Sequence, residues 1–197
     1  AIELMHEIGK GTPLGHILGN GAVATANTFG VVRCPTVKGQ AMPAYEPRPI
    51  KGIGIIYATS TMGADHTAGN LPGYKCEGTT TEELTEASMD IQMNCAAVDS
   101  LGICVFGRSV TNVNHDFITN ALNDALGTDL EPAFFTRMGR EVLELEAEFN
   151  EAAGFTEEDD ELPSFFTDEA LEPTGKKQRH HSAEVNQLRR DWLAAQG

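Results

Sequence analysis

Leu84, Ser88, Ile91, Cys95 and Val98 place small or apolar side chains at intervals of four, three, four and three, the repeat of one helix face. Thr81, followed by Glu82 and Glu83, marks the start of that helix, with acids at the positive end of its dipole. Gly102 stops it after about Leu101. The same period predicts a helix over residues 131–153, with Met138, Val142, Leu145 and Phe149 as its apolar stripe. Further helices are expected over residues 110–126 and 182–195. Residues 1–29 read as two helices separated by "GKGTP", where Thr12 caps and Pro13 takes the first helical position. Leu14, Leu18 and Ala22 then share a face.

The intervening segments lack this period. Prolines at 35, 43, 47 and 49 make residues 34–52 an extended, turn-rich crossing. "IGIIYATST", residues 53–61, is β-branched, yet Gly52 and Gly54 suit a helix packed closely on another backbone, and helix is the expectation. Residues 63–78, with glycines at 63, 69, 73 and 78, form a loop too long to be a simple connector, and long ordered loops commonly carry function. Residues 154–180 are polar, with anchors at Phe155, Phe165 and Phe166, and are expected to drape over the surface. Strand alternation is scarce and no repeat occurs. The predicted fold class is therefore mainly α: an irregular multi-helical unit with long glycine-rich loops. Its expected core spans residues 1–153, with residues 154–197 as a surface segment and terminal helix of the same unit.

Composition narrows the class. At 197 residues and 41% hydrophobic content, the chain can bury one sizeable core. Its 29 acidic and 14 basic residues give a net charge of −15, which repels phosphate backbones and anionic lipid. No nucleic acid and no membrane are expected as partners. Much of the acid lies in residues 141–161 and reads as a solvated helix face. No apolar run approaches the roughly 18–20 residues of a membrane span, and no signal pattern opens the chain, so it reads as cytoplasmic. Cysteines 34, 76, 95 and 104 do not form the dense framework of a small secreted domain, and reduced thiols are expected.

No P-loop, dinucleotide glycine fingerprint, paired-cysteine finger or G-x-S-x-G elbow occurs. His180 and His181, within "KKQRHH", read as a solvated basic tail. Two features remain. The first is Asp65-His66 in the glycine-rich loop, where an imidazole can move a proton near neutral pH beside a carboxylate. The second is "DSLGIC", residues 99–104. A helix ending at Gly102 lets backbone approach a flat ligand, with Asp99 one turn back and Cys104 just beyond. A carboxylate accepts from ring and amino N–H groups, and a thiolate is the standard iron–sulfur ligand. On spacing alone the simpler reading holds: a buried cysteine after a helix is common, and one thiolate cannot hold a cluster.

"VKGQAMPAYEPRPIKGIGIIYATSTMGADHTAG", residues 37–69, followed by "DSLGIC", resembles the C-terminal part of the aldehyde ferredoxin oxidoreductase family of tungstopterin enzymes. "IGKGTPLGHILGNGAVATA", residues 8–26, and "EVLELEAEFNEAAGFTEEDDELP", residues 141–163, are similar to the segments that flank these blocks in that family. The resemblance covers about residues 2–166 and is weakest in the basic tail. It implies two helical domains below a β-rich one, a tungsten (occasionally molybdenum) ion held by two pterins, and a [4Fe–4S] cluster. It also implies oxidation of an aldehyde to a carboxylic acid, with electrons passed to ferredoxin or another iron–sulfur acceptor. "DSLGIC" matches the family's second D-x-x-G-[LI]-[CD] motif. Asp99 should then accept from a pterin nitrogen, Gly102 and Ile103 should bring backbone close, and Cys104 should be the cluster's fourth thiolate. His66 corresponds to the catalytic histidine near the metal, with Tyr57 and Thr59 lining the approach.

The departures are equally specific. The family's upstream C-x-x-C-x-x-x-C group, its first pterin motif and its β-rich domain have no counterpart here, and Cys34, Cys76 and Cys95 do not reproduce the cluster spacing. The chain starts at Ala1 in helix-like sequence and is expected to be a C-terminal piece that works with upstream domains of the same polypeptide. By itself it should hold neither cluster nor tungstopterin. Two alternatives stay open: a relative with another substrate, such as an aromatic acyl-CoA reductase subunit, and a helical binding module without redox chemistry.

Overall fold

In the computed structural model, which describes residues 1–69, 71 and 74–196, the chain begins with three short helices rather than two: α1 (Ile2–Lys10), α2 (Pro13–Gly19) and α3 (Gly21–Phe29). The Thr12 hydroxyl accepts from the Gly15 amide at 3.0 Å, with Pro13 at the first position. The expected second helix breaks at Asn20-Gly21, where Gly21 has φ 92°. Within these helices Gly15 and Ala26 are the buried residues, so Leu14, Leu18 and Ala22 do not form a buried face.

β1 (Thr36–Val37) and β2 (Gln40–Ala41) make a small antiparallel hairpin. Its turn residues Lys38 and Gly39 have φ of 49° and 75°, the left-handed pair that a tight hairpin requires. α4 (Lys51–Thr59) is the helix expected from "IGIIYATST". A Cβ at Gly54 would stand 1.7 Å from Gln178 Nε2, so the missing side chain is what allows that approach. Residues 52–60 are buried throughout, and an apolar run buried on all sides carries no amphipathic period.

α5 (Thr81–Ser100) opens on a reciprocal cap between Thr80 and Glu83. Leu84, Ser88, Cys95 and Val98 are buried as the period predicts, while Ile91 is half-buried and Gln92 goes inside. The Gln92 amide donates to Thr59 Oγ1 at 2.9 Å and to Ser88 Oγ at 3.1 Å, which satisfies it there. The single helix expected over 110–126 is divided into α6 (Arg108–Thr111) and α7 (His115–Leu126). Asn114 closes the break by donating from Nδ2 to the Val110 carbonyl at 2.8 Å.

The apolar stripe of α8 (Ala133–Ala152) is corrected. Phe135, Gly139 and Leu143 are buried, whereas Leu145 and Phe149 are 63% and 72% exposed. Gly139 decides the rotation: a Cβ there would stand 2.1 Å from the Met93 carbonyl oxygen of α5. Residues 154–180 lie deeper than their polar composition predicts. Leu162 and Phe166, the latter in α9 (Phe165–Asp168), are buried against Val37, Ile53, Ile56 and Tyr57, and only Phe155 of the three anchors is exposed. His180 is also buried, its Nδ1 3.1 Å from Thr81 Oγ1, while His181 stays exposed, with Nδ1 3.0 Å from Glu161 Oε1. α10 (Ser182–Ala195) sets Val185 against Ile55 and Leu84 and packs on both α4 and α5. The architecture is mainly α, with α5 packed between α4, α8 and α10.

Candidate functional site

Asp99 lies in the last turn of α5, exposed. Gly102 takes φ 67°, and the chain reverses so that its amide meets the Asp99 carbonyl at 2.9 Å and the Ile103 amide meets the Val98 carbonyl at 3.0 Å. A Cβ at Gly102 would meet nothing within 4 Å, so the backbone there faces open space. Ile103 is half-buried against Ala97, Val98, Ile118 and Phe135, which anchors the turn from below. Cys104 follows at the start of a short 3-10 turn, Val105–Gly107, and is exposed. The simpler reading of a buried thiol is thereby corrected: the buried cysteines are Cys76 and Cys95. Among the described residues no disulfide links the four cysteines, and no three His, Cys, Asp or Glu side chains converge as a metal set.

The loop after α4 lies on α5. At Gly69, φ 121°, a Cβ would stand 2.7 Å from the Gln92 amide nitrogen. Asp65 organises the loop by accepting from the Thr67 amide at 3.0 Å and from its hydroxyl at 2.5 Å. His66 projects outward, its side chain 42% exposed, with Nδ1 3.7 Å from Asp65 Oδ1 and its ring 5.4 Å from that of Tyr45. Residues 70, 72 and 73 of this loop, Gly73 among them, lie outside the described residues.

Loop and helix meet at a cleft of about 290 Å³ lined in part by Met62, Ala68, Asp99, Ser100 and Glu146. Partial desolvation, then the nearby carboxylates of Asp65 and Glu146, hold the Asp99 carboxyl above the ordinary aspartate value. This corner therefore concentrates acceptors and favours a ligand that brings N–H donors. His66 does not line the cleft. Tyr57 and Thr59 do not line it either. Tyr57 is fully buried, and its hydroxyl, whose pKa is raised by burial and by Tyr45 and Asp65, has no hydrogen-bond partner among the described residues. Thr59 donates to the Ile55 carbonyl at 2.8 Å. The burial of residues 52–60 draws both inward. Glu146, by contrast, is a contributor that the sequence pattern did not single out, because it is one acid among many on α8.

A family model described as aldehyde ferredoxin oxidoreductase, domains 2 and 3, matches residues 1–197. The chain belongs to the aldehyde ferredoxin oxidoreductase family. It is similar to the tungsten-containing aldehyde ferredoxin oxidoreductase of Pyrococcus horikoshii, 30% identical over 186 residues that make up 89% of this chain and 30% of that protein. The Pyrococcus furiosus protein of the same name is 29% identical over 192 residues, 90% of this chain and 31% of its own length. That of Thermococcus kodakarensis is 29% identical over 177 residues, 85% of this chain and 29% of its own. The chain thus spans about a third of the length of the curated relatives it matches. Family membership extends over the basic tail, where the sequence resemblance was weakest. Among the described residues no helix is long and apolar enough to cross a membrane.

Proposed function

We propose that this chain forms one side of a tungstopterin and iron–sulfur site in an aldehyde-oxidising, ferredoxin-linked enzyme, completed by upstream domains of the same polypeptide. The observation that supports this reading is the helix end at Asp99–Cys104, which leaves a carboxylate, a side-chain-free backbone turn and a thiol all facing open space. Those residues fit a pterin edge: Asp99 accepts N–H groups and Gly102 lets a flat ring approach. They fit a cluster in part, since Cys104 offers one thiolate and three further ligands must come from outside this chain. Bound there, the cofactors supply two-electron oxidation of an aldehyde and water to a carboxylic acid, with the electrons leaving for ferredoxin. His66, with Nδ1 on the Asp65 side, presents Nε2 to give or take the proton of that reaction. Asp65 positions it through the loop turn closed on Thr67.

The test is metal analysis and EPR of the chain produced anaerobically together with its upstream domains. Tungsten or molybdenum and about four irons are expected. Protein that carries none of these metals overturns the proposal. Cys104→Ser should lower iron content or change the cluster signal, and an unaltered spectrum removes Cys104 from the cluster. His66→Asn should cut turnover by about a hundredfold or more with metal content unchanged, and full activity removes it from proton transfer.

A further inference from the structure

A second cavity, about 710 Å³ and open to solvent on one side, is lined by the hairpin turn at Lys38, the C-terminal half of α8, residues 154–160 and α10. It shares Thr61 with the Asp99 cleft but is otherwise walled by different residues. Three cations line it. Lys38 is in contact with the Asp160 carboxylate and donates to the Ser60 carbonyl at 3.3 Å. Arg190 pairs with Glu157 and donates to Gln187 Oε1 at 2.8 Å. Arg189 makes no hydrogen bond or ion pair among the described residues, and its Nη2 is shielded from solvent. Burial, and then the adjacent Arg190, disfavour its charged form.

A half-buried guanidinium whose shielded Nη2 lacks a partner is costly, and an anion is what offsets it. The rest of the lining limits which anion. Ala147, Phe155 and Leu193 give the cavity an apolar wall, which takes hydrocarbon. Glu144, Glu148 and Glu151 also line it and are exposed, and they repel a dianion more than a monoanion. A planar carboxylate matches the guanidinium fork. We propose that this cavity is a binding site for a small monocarboxylate on a short apolar body, held through Arg189. The proposal does not depend on the roles of Asp99, Cys104 or His66.

The purified chain is titrated by calorimetry, and by NMR of its arginine side chains, with hexanoate, 1-hexanol and inorganic phosphate. Saturable hexanoate binding below about 10 mM is expected, with the Arg189 Nε–H resonance shifting along the titration. Hexanol and phosphate should each bind at least about tenfold more weakly. Arg189→Met, which keeps the length and removes the charge, should lose at least about tenfold in hexanoate affinity, and Arg189→Lys should recover part of it. Without ligand, Arg189→Met should melt at or above the temperature of the parent, because an unpaired charge is gone. The proposal is overturned by hexanoate that fails to saturate, by Arg189→Met that binds as the parent does, or by hexanol or phosphate that binds equally well. An Arg189→Met protein that melts lower, or does not fold, also overturns it, since the guanidinium would then already be compensated.

Discussion

At the N-terminus of α5 the Thr80 hydroxyl accepts from the Glu83 amide at 3.1 Å and the Glu83 carboxylate accepts from the Thr80 amide at 2.9 Å, so side chain and backbone close each other. At the C-terminus the backbone is closed as well, through Gly102 and Ile103, but the side chains are left open: Asp99 and Cys104 face outward. One end uses its polar groups to complete the helix. The other keeps them unspent, and the charge on Asp99 works against its own neighbours Asp65 and Glu146. Partial desolvation, and then these two carboxylates, disfavour the charged form of Asp99, so this end of the helix gives the fold less than the capped end does.

The contrast can be broken by substitution along the helix. The largest loss belongs to the α8 residue that packs on its middle. Gly139→Val forces a side chain against the Met93 carbonyl, 2.1 Å from where its Cβ must stand, and should cost about 3 kcal/mol or more in urea unfolding followed by circular dichroism. Thr80→Ala removes one arm of the cap and should cost about 1 kcal/mol in the same measurement. At the opposite end Asp99→Asn should stabilise the chain, by about 0.5 kcal/mol or less once solvent screening is allowed for. The sign follows from linkage. A carboxyl held above its ordinary value binds its proton more tightly when folded, so stability falls as pH rises through that raised value. The gain from Asp99→Asn should therefore be present at neutral pH and vanish below the ordinary aspartate range; a loss at neutral pH would break the contrast. Cys104→Ser, at an exposed side chain, should change stability by less than about 0.5 kcal/mol. A loss above 1 kcal/mol would place Cys104 in the fold instead of in a site.

Legibility followed the kind of signal each region carries. The α5 period, its acidic first turn and its glycine stop were readable because capping and amphipathic spacing are local. The α10 range matched the structure for the same reason. The face of α8 was misread because Gly139, the residue in closest contact, has no side chain to count as apolar. Residues 154–180 were misjudged because Leu162 and Phe166 are isolated in polar sequence and still reach the core. Asp99, Gly102 and Cys104 were visible as a motif, yet spacing alone could not separate an exposed thiol from a buried one. Arg189 gave no signal at all, since a basic residue on a polar helix carries no mark of the walls around it.

The sequence by itself determined the helical character of this chain, the Thr12 cap, the stop at Gly102 and its kinship, because these depend on neighbours within a few positions or on motif order. Tertiary structure alone decided which faces are buried, that Cys95 and not Cys104 is the hidden thiol of this region, and that Lys38, Arg189 and Phe155 line one cavity. Burial and enclosure are properties of residues distant in the chain, and their physics, desolvation and close packing, acts only once the fold has brought them together.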